Sequence, residues 1–161
     1  GKMVFGRLAP GEENSGKLVN LVREKAKQLS KIHSLKNIII DGPPGIGCPV
    51  ISSITGVSHV VIVTEPTISG FEDLKRTIEI TSKFSPKIWV VINKCDLNPE
   101  LTEQIIAYSS TLNIPVAGKL PFDSKVVEAM VNCKSIAEWA PDSPIVKEIE
   151  SAYKFITDEQ S

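Results

Sequence analysis

The chain has 161 residues, a formal net charge of −1 and a hydrophobic fraction of 42%. This length suits a single domain, and the small charge provides no basic field to attract nucleic acid or an acidic membrane. No apolar run approaches the ~18 residues of a membrane-spanning helix, and the opening GKMVFGRLAP lacks the apolar stretch of a signal peptide.

The cysteines Cys48, Cys95 and Cys133 lie far apart and form no C-x-x-C pair. Their spacing therefore excludes a zinc or iron–sulfur site built by this chain alone. An odd number of cysteines favours reduced thiols, and hence a cytoplasmic protein.

Apolar runs rich in Val and Ile predict four buried strands and a weaker fifth. The strands are predicted at residues 3–8, 37–41, 59–64, 87–92 and 114–120. Continuous apolar runs of this kind are typical of parallel strands that are covered on both faces.

Segments with apolar residues at helical spacing alternate with these runs, at 17–32, 70–84, 99–112 and from Ser143 onward. Arg23 is expected on the exposed face of the first helix, and Ser69 and Asn98 are expected to cap the second and third. The alternation predicts one α/β domain over residues 1–161, with a mainly parallel sheet between helices in three α/β/α layers.

The carboxyl ends of such strands form the usual ligand site. Asp41 ends one strand and is followed by the loop GPPGIG. Its carboxylate can hold Mg²⁺ beside a nucleotide's phosphates, and Gly45 can bring its backbone N–H close to a phosphate because it has no Cβ. The alternative is a tight loop whose acid caps a helix.

The next strand ends are also polar. Thr64, Glu65 and Thr67 can contact a ligand or cap a helix, and capping is favoured. Asn93, in NKCD, offers a donor and an acceptor to a purine edge.

In the same turn, Lys94 can lie along the plane of a base, and Asp96 can accept from a base N–H; the alternative is a simple turn before Asn98. After the last strand, Pro121 fixes a turn, Phe122 can pack against a base, and Asp123 can cap a helix.

The stretch GEENSGKL, at residues 11–18, nearly matches the phosphate-loop pattern G-x-x-x-x-G-K-[ST]. Leu18 offers no hydroxyl for Mg²⁺, and Glu12 and Glu13 would bring negative charge into an anion site. The stretch is therefore interpreted as a helix start, capped by Asn14 or Ser15.

Together these motifs resemble the MinD/ParA-type P-loop ATPases, in particular the branch with an inserted ferredoxin-like iron–sulfur domain. The resemblance is carried by GEENSGKLV, IIIDGPPGIGCPVISS, VVIVTEPTISGFEDLKR, VVINKCDLN and KLPFD, in family order. It implies that the P-loop and the cluster cysteines lie upstream and are missing, so that this chain is the C-terminal part of a P-loop ATPase with an incomplete fold.

The resemblance also implies residue roles. Asp41 matches the catalytic Walker B aspartate at the magnesium, and Gly45 matches the switch glycine that senses the γ-phosphate. Asn93 matches the residue that reads adenine, and 121–123 match the loop that covers the base. Lys94 and Asp96 occupy positions that read the base in GTP-binding proteins.

For the intact protein, the resemblance implies a cytoplasmic ATPase that uses ATP and Mg²⁺, with iron–sulfur clusters in the upstream domain and an iron–sulfur or redox client. The fragment itself is expected to be inactive, because the phosphate cradle is absent. Loss of the interior P-loop strand predicts a rearranged sheet or a homodimer.

The sequence leaves two other hypotheses open. NKCD suggests a GTP-binding switch module, although Pro44 stands where GTPases carry the glycine of D-x-x-G. Asp41, Thr64 and Lys94 suggest a non-enzymatic phosphorylation receiver, although MVFGRLAP lacks the acidic pair that a receiver needs.

Overall fold

The computed structural model describes residues 2–7 and 16–158. Within those residues the strands are β1 (His59–Thr64), β2 (Lys87–Asn93) and β3 (Val116–Leu120). The helices are α1 (Gly16–Ile32), α2 (Cys48–Ile54), α3 (Ile68–Ser82), α4 (Pro99–Thr111), α5 (Ser124–Val131), α6 (Ile136–Trp139) and α7 (Pro144–Asp158). The chain divides into two compact units, Gly1–Ser58 with Glu79–Pro86 and His59–Ile78 with Lys87–Ser161.

The second unit is built on a parallel sheet in the order β1-β2-β3. The pairing of β1 with β2 runs from His59 opposite Lys87 to Thr64 opposite Ile92. Since all three strands run in the same direction, their carboxyl ends meet at one edge of the sheet. The residues that follow Thr64, Asn93 and Leu120 are therefore neighbours there.

Strand β2 forms the centre of the core because alternate side chains are buried on opposite faces of the sheet. Val90 and Ile92 are fully buried in a cluster with Leu74 of α3 and Ile105 of α4. On the other face, the buried Trp89 meets the Phe155 ring of α7 edge-on, with 5.4 Å between ring centroids. The predicted arrangement of a parallel sheet between helices, in three α/β/α layers, is confirmed.

The predicted helix caps have mixed outcomes. Asn98 caps α4, as predicted, by accepting a hydrogen bond from Leu101 N at 3.0 Å. The prediction that Ser69 caps α3 is wrong, because the helix begins two residues earlier than the pattern indicates. The prediction that Thr67 caps a helix is confirmed, because its hydroxyl accepts from Gly70 N at 3.0 Å.

In the first unit, the buried position of Arg23 contradicts its prediction as an exposed residue of α1. Its guanidinium group donates to the backbone carbonyls of Ser52 and Thr55, at the C-terminal end of α2. These carbonyls have no partners inside the helix and attract a cation. Arg23 therefore joins α1 to α2. The predicted caps Asn14 and Ser15 lie outside the described residues.

Two of the predicted strands do not form. Residues 3–7 and 37–41 have no strand structure, and residue 8 lies outside the described part. An apolar run becomes a strand only when a neighbouring strand completes its hydrogen bonds. Consistent with that, Phe5 and Ile39 are 75% and 82% exposed. The division of residues 1–161 as one domain stays a prediction.

Candidate functional site

The carboxyl edge of the sheet in the second unit brings together three polar side chains at the ends of β1 and β2. Glu65 follows Thr64, and the strand register places it beside Asn93. Glu65 Oε1 accepts from Lys94 Nζ at 2.8 Å and from Asn93 Nδ2 at 3.4 Å. One carboxylate oxygen thus contacts both residues that the sequence singles out at the end of β2.

The contact between Glu65 and Lys94 matters more for geometry than for stability. Both side chains are 38% exposed, and ion pairs with this much solvent access contribute only about 0–1 kcal/mol. Lys94 has a left-handed backbone with φ of 52°, which is uncommon for a residue with a Cβ. The turn therefore sends the lysine side chain to Glu65 rather than leaving it extended into solvent.

A second group of contacts joins the turn after β2 to the turn after β3. Asp96 Oδ1 accepts from Phe122 N at 2.7 Å, and Cys95 N donates to Leu120 O at 3.0 Å. Pro121 has no N–H and lies between these two bonds. The segments 93–96 and 120–123 therefore form one connected surface, with the Phe122 side chain 52% exposed on it.

The predicted cap at Asp123 is confirmed. Its Oδ1 accepts from Lys125 N at 2.9 Å at the start of α5, and its Oδ2 accepts from the buried Ser143 hydroxyl before α7. Ser143 and then the Lys125 N–H hold the pKa of Asp123 below its ordinary value. Asp123 therefore fixes the far end of the loop that carries Phe122.

This lowered pKa gives an expected pH dependence of stability. The native carboxyl resists protonation more than the unfolded one, so its stabilisation is complete above the ordinary pKa of about 4 and is lost as the pH falls through the lower native value. We expect the difference in unfolding free energy between wild type and Asp123→Asn to shrink between pH 7 and pH 3 in urea titrations. Asp142→Asn controls for removal of one exposed negative charge, and a constant difference would contradict the assignment.

Asp41 and Gly45 belong to the first unit and lie on the exposed loop before α2. Within the described part of the chain, no side chain or backbone group hydrogen-bonds to the Asp41 carboxylate. Gly45 has φ of 94°, and a Cβ there would meet nothing within 4 Å. The backbone conformation rather than space thus requires a glycine at this position.

The three cysteines are free thiols in different settings. Cys48 and Cys133 are exposed, whereas burial, followed by the nearby Asp96, raises the pKa of the Cys95 thiol. Among the residues that the structure describes, no group of three or more His, Cys, Asp and Glu side chains is placed to hold a metal ion. The described helices also include none long and apolar enough to cross a bilayer.

Glu65 and Ser143 are the residues whose roles sequence reasoning missed. The sequence allows Glu65 to contact a ligand or to cap a helix and favours capping, but Thr67 caps α3 and Glu65 contacts Asn93 and Lys94. The position of Glu65 directly after an apolar strand is the feature of the sequence that indicates a place at the ligand edge of the sheet. Ser143 gave no signal, because its contact with Asp123 joins residues 20 positions apart.

A family model described as NUBPL iron-transfer P-loop NTPase, of the ParA group, matches residues 16–157. The chain belongs to this ParA-type P-loop NTPase family. It is 32% identical over 132 residues to an uncharacterized protein of Methanocaldococcus jannaschii, covering 81% of this chain and 42% of that protein. An uncharacterized ATP-binding protein of the same organism is 33% identical over 138 residues, covering 83% of this chain and 52% of the relative.

Solved structures show the same fold. The septum site-determining protein MinD from Pyrococcus horikoshii, complexed with Mg-ADP, has a TM-score of 0.65 at 18% identity, covering 88% of this chain and 60% of that one. The MinD cell division protein of Aquifex aeolicus has a TM-score of 0.68 at 17% identity, covering 88% and 61%. The chain spans about half the length of the curated relatives it matches.

Proposed function

We propose that residues 93–96 and 120–123 supply the base-binding surface of an ATP-binding site in a MinD-like ATPase. We also propose that Asp41 is a magnesium ligand of the intact protein. The observation that carries the first proposal is the connected surface 93–96 and 120–123 at the carboxyl edge of the parallel sheet, where ligands of such folds bind. Family membership and the Mg-ADP complex of a protein with the same fold support it.

On this surface, each side chain has a distinct task. Asn93 contacts the edge of the adenine, and the half-exposed Phe122 ring packs against its face. Lys94 and Asp96 are largely engaged by Glu65 and by Phe122 N. Pro121 and Asp123 fix the backbone on either side of Phe122, so that the ring is held in place before the base arrives.

The exposed carboxylate of Asp41 suits a magnesium ion. Mg²⁺ usually keeps several waters and takes one or two protein carboxylates together with substrate phosphates, and the exposed Asp41 carboxylate is free to serve as that protein ligand. When bound, the ion neutralises charge on the phosphate oxygens. Gly45 allows its backbone N–H to approach the terminal phosphate, which assigns both residues to the reacting end of the nucleotide.

We further propose that the phosphate loop belongs to a longer protein, and that this chain alone does not hydrolyse ATP. GEENSGKL ends in Leu18 rather than Ser or Thr, and the chain spans about half of its curated relatives. The 75%, 82% and 62% exposure of Phe5, Ile39 and Val63 fits apolar segments that are completed by a further strand or by a second copy in a homodimer.

The longer protein then carries the iron–sulfur clusters in a ferredoxin-like domain and acts in the cytoplasm on an iron–sulfur or redox client. The iron-transfer description of the family supports this assignment.

The test is a calorimetric titration of ATP and GTP into the complete protein encoded by the natural reading frame that contains these residues. We expect ATP to bind at least about tenfold more tightly, the discrimination typical of an amide that pairs with adenine. Tighter binding of GTP would favour the switch module instead.

A further inference from the structure

We propose that Glu65 determines purine specificity by fixing which end of the Asn93 amide faces the base. The inference rests on the proposed function, since it concerns the same base-binding surface. A carboxamide has an acceptor oxygen and a donor nitrogen that exchange places by a half-turn of the side chain. Which of them meets the base decides whether an amino group or a carbonyl group is accepted at purine position 6.

The contacts of Glu65 remove this ambiguity. Asn93 Nδ2 points to Glu65 Oε1 at 3.4 Å, near the long limit of a hydrogen bond. A half-turn of the amide would instead place Oδ1 against the carboxylate, bringing together two acceptors with no hydrogen between them. The contact therefore selects one orientation even though the bond itself is weak.

Lys94 holds Glu65 in the position that this selection requires. Its ammonium group contacts the same Oε1 atom at 2.8 Å, and the left-handed turn at Lys94 brings the two side chains together. The carboxylate is thus fixed from one side by a cation and presents its remaining accepting capacity to Asn93. The turn at Lys94 therefore acts on the Asn93 amide through the carboxylate of Glu65.

The selected orientation matches adenine and opposes a 6-oxo purine. Asn93 Oδ1 is left for the ligand, and it complements the exocyclic amine of adenine. In hypoxanthine or guanine, the carbonyl at position 6 would meet Oδ1 as a second acceptor. A buried or half-buried acceptor without a donor is costly, so Glu65 acts as a positioning residue that disfavours these bases.

The experiment compares ADP with IDP, because the two bases differ at position 6 and at the adjoining N1 proton and are otherwise alike. Dissociation constants are measured for the complete protein, for Glu65→Gln and for Glu65→Ala. Glu72→Gln is the matched control, since Glu72 forms a similar exposed ion pair with Lys75 at 2.7 Å in the same unit. We expect the dissociation constant for IDP, divided by that for ADP, to fall about tenfold in both Glu65 variants. This ratio should remain at the wild-type value in the control.

The outcomes separate the inference from the proposed function. If the wild type prefers ADP and the Glu65 variants keep the same IDP/ADP ratio of dissociation constants, the role of Glu65 is overturned. The proposed ATP binding is then unaffected. A wild type that binds neither nucleotide overturns both proposals. A fall in the ratio that arises from weaker ADP binding and tighter IDP binding supports the role of Glu65. General damage to the site would instead weaken the binding of both nucleotides.

Discussion

Replacing Asp41 by Asn is expected to lower ATP hydrolysis by the complete protein roughly 100-fold. The substitution keeps the size of the side chain but removes the charge that holds the magnesium ion. A loss of about 3 kcal/mol in stabilisation of transition-state charge corresponds to that factor. Steady-state phosphate release at saturating ATP measures the effect, and ADP binding without magnesium should change little.

Asp73→Asn is the control for Asp41→Asn. Asp73 is an exposed acid on α3, and its carboxylate is 4.0 Å from Arg76. Hydrolysis by this variant should equal that of the wild type. If Asp41→Asn hydrolyses ATP at the wild-type rate, Asp41 does not hold the magnesium ion and its assignment is wrong.

Replacing Asn93 by Ala is expected to weaken ADP binding by about 10- to 100-fold. This is the range for loss of the side chain that accepts from adenine, worth about 1–3 kcal/mol, because the exocyclic amine is left without its acceptor. The fold should tolerate the change, because Asn93 is only partly buried and ends β2 rather than filling the core. Calorimetry with ADP measures the affinity, and thermal unfolding checks the fold.

Asn132→Ala is the matched control for Asn93→Ala. Asn132 is an exposed asparagine in the same unit, and its amide nitrogen donates to Glu128 O at 2.8 Å at the end of α5. Its removal should leave ADP affinity unchanged. Equal losses in the two variants would show that the effect of Asn93→Ala comes from general destabilisation rather than from a contact with the base.

The sequence was sufficient where the signal is local. Continuous apolar runs gave β1, β2 and β3, since strands covered by helices on both faces carry no polar alternation. Asn98 and Asp123 were recognisable as caps, because a cap acts on backbone groups two or three residues away. Residues 37–41 show the limit of such signals. The run is apolar, but whether it forms a strand depends on a neighbouring strand.

Contacts between distant segments were not predictable. The proximity of Glu65 to Asn93 follows from the register that pairs Thr64 with Ile92, which no local pattern specifies. The bond from Phe122 N to Asp96 similarly joins residues 26 positions apart. The charge of Arg23 predicts an exposed side chain, whereas the carbonyls at the end of α2 accept its hydrogen bonds and allow its burial.

The most direct test of the central claim is a crystal structure of the complete protein with Mg-ADP. We expect adenine N6 within hydrogen-bond distance of Asn93 Oδ1 and the base against the Phe122 ring. A nucleotide whose base lies away from residues 93–96 and 120–123 would contradict the assignment of this surface to the base.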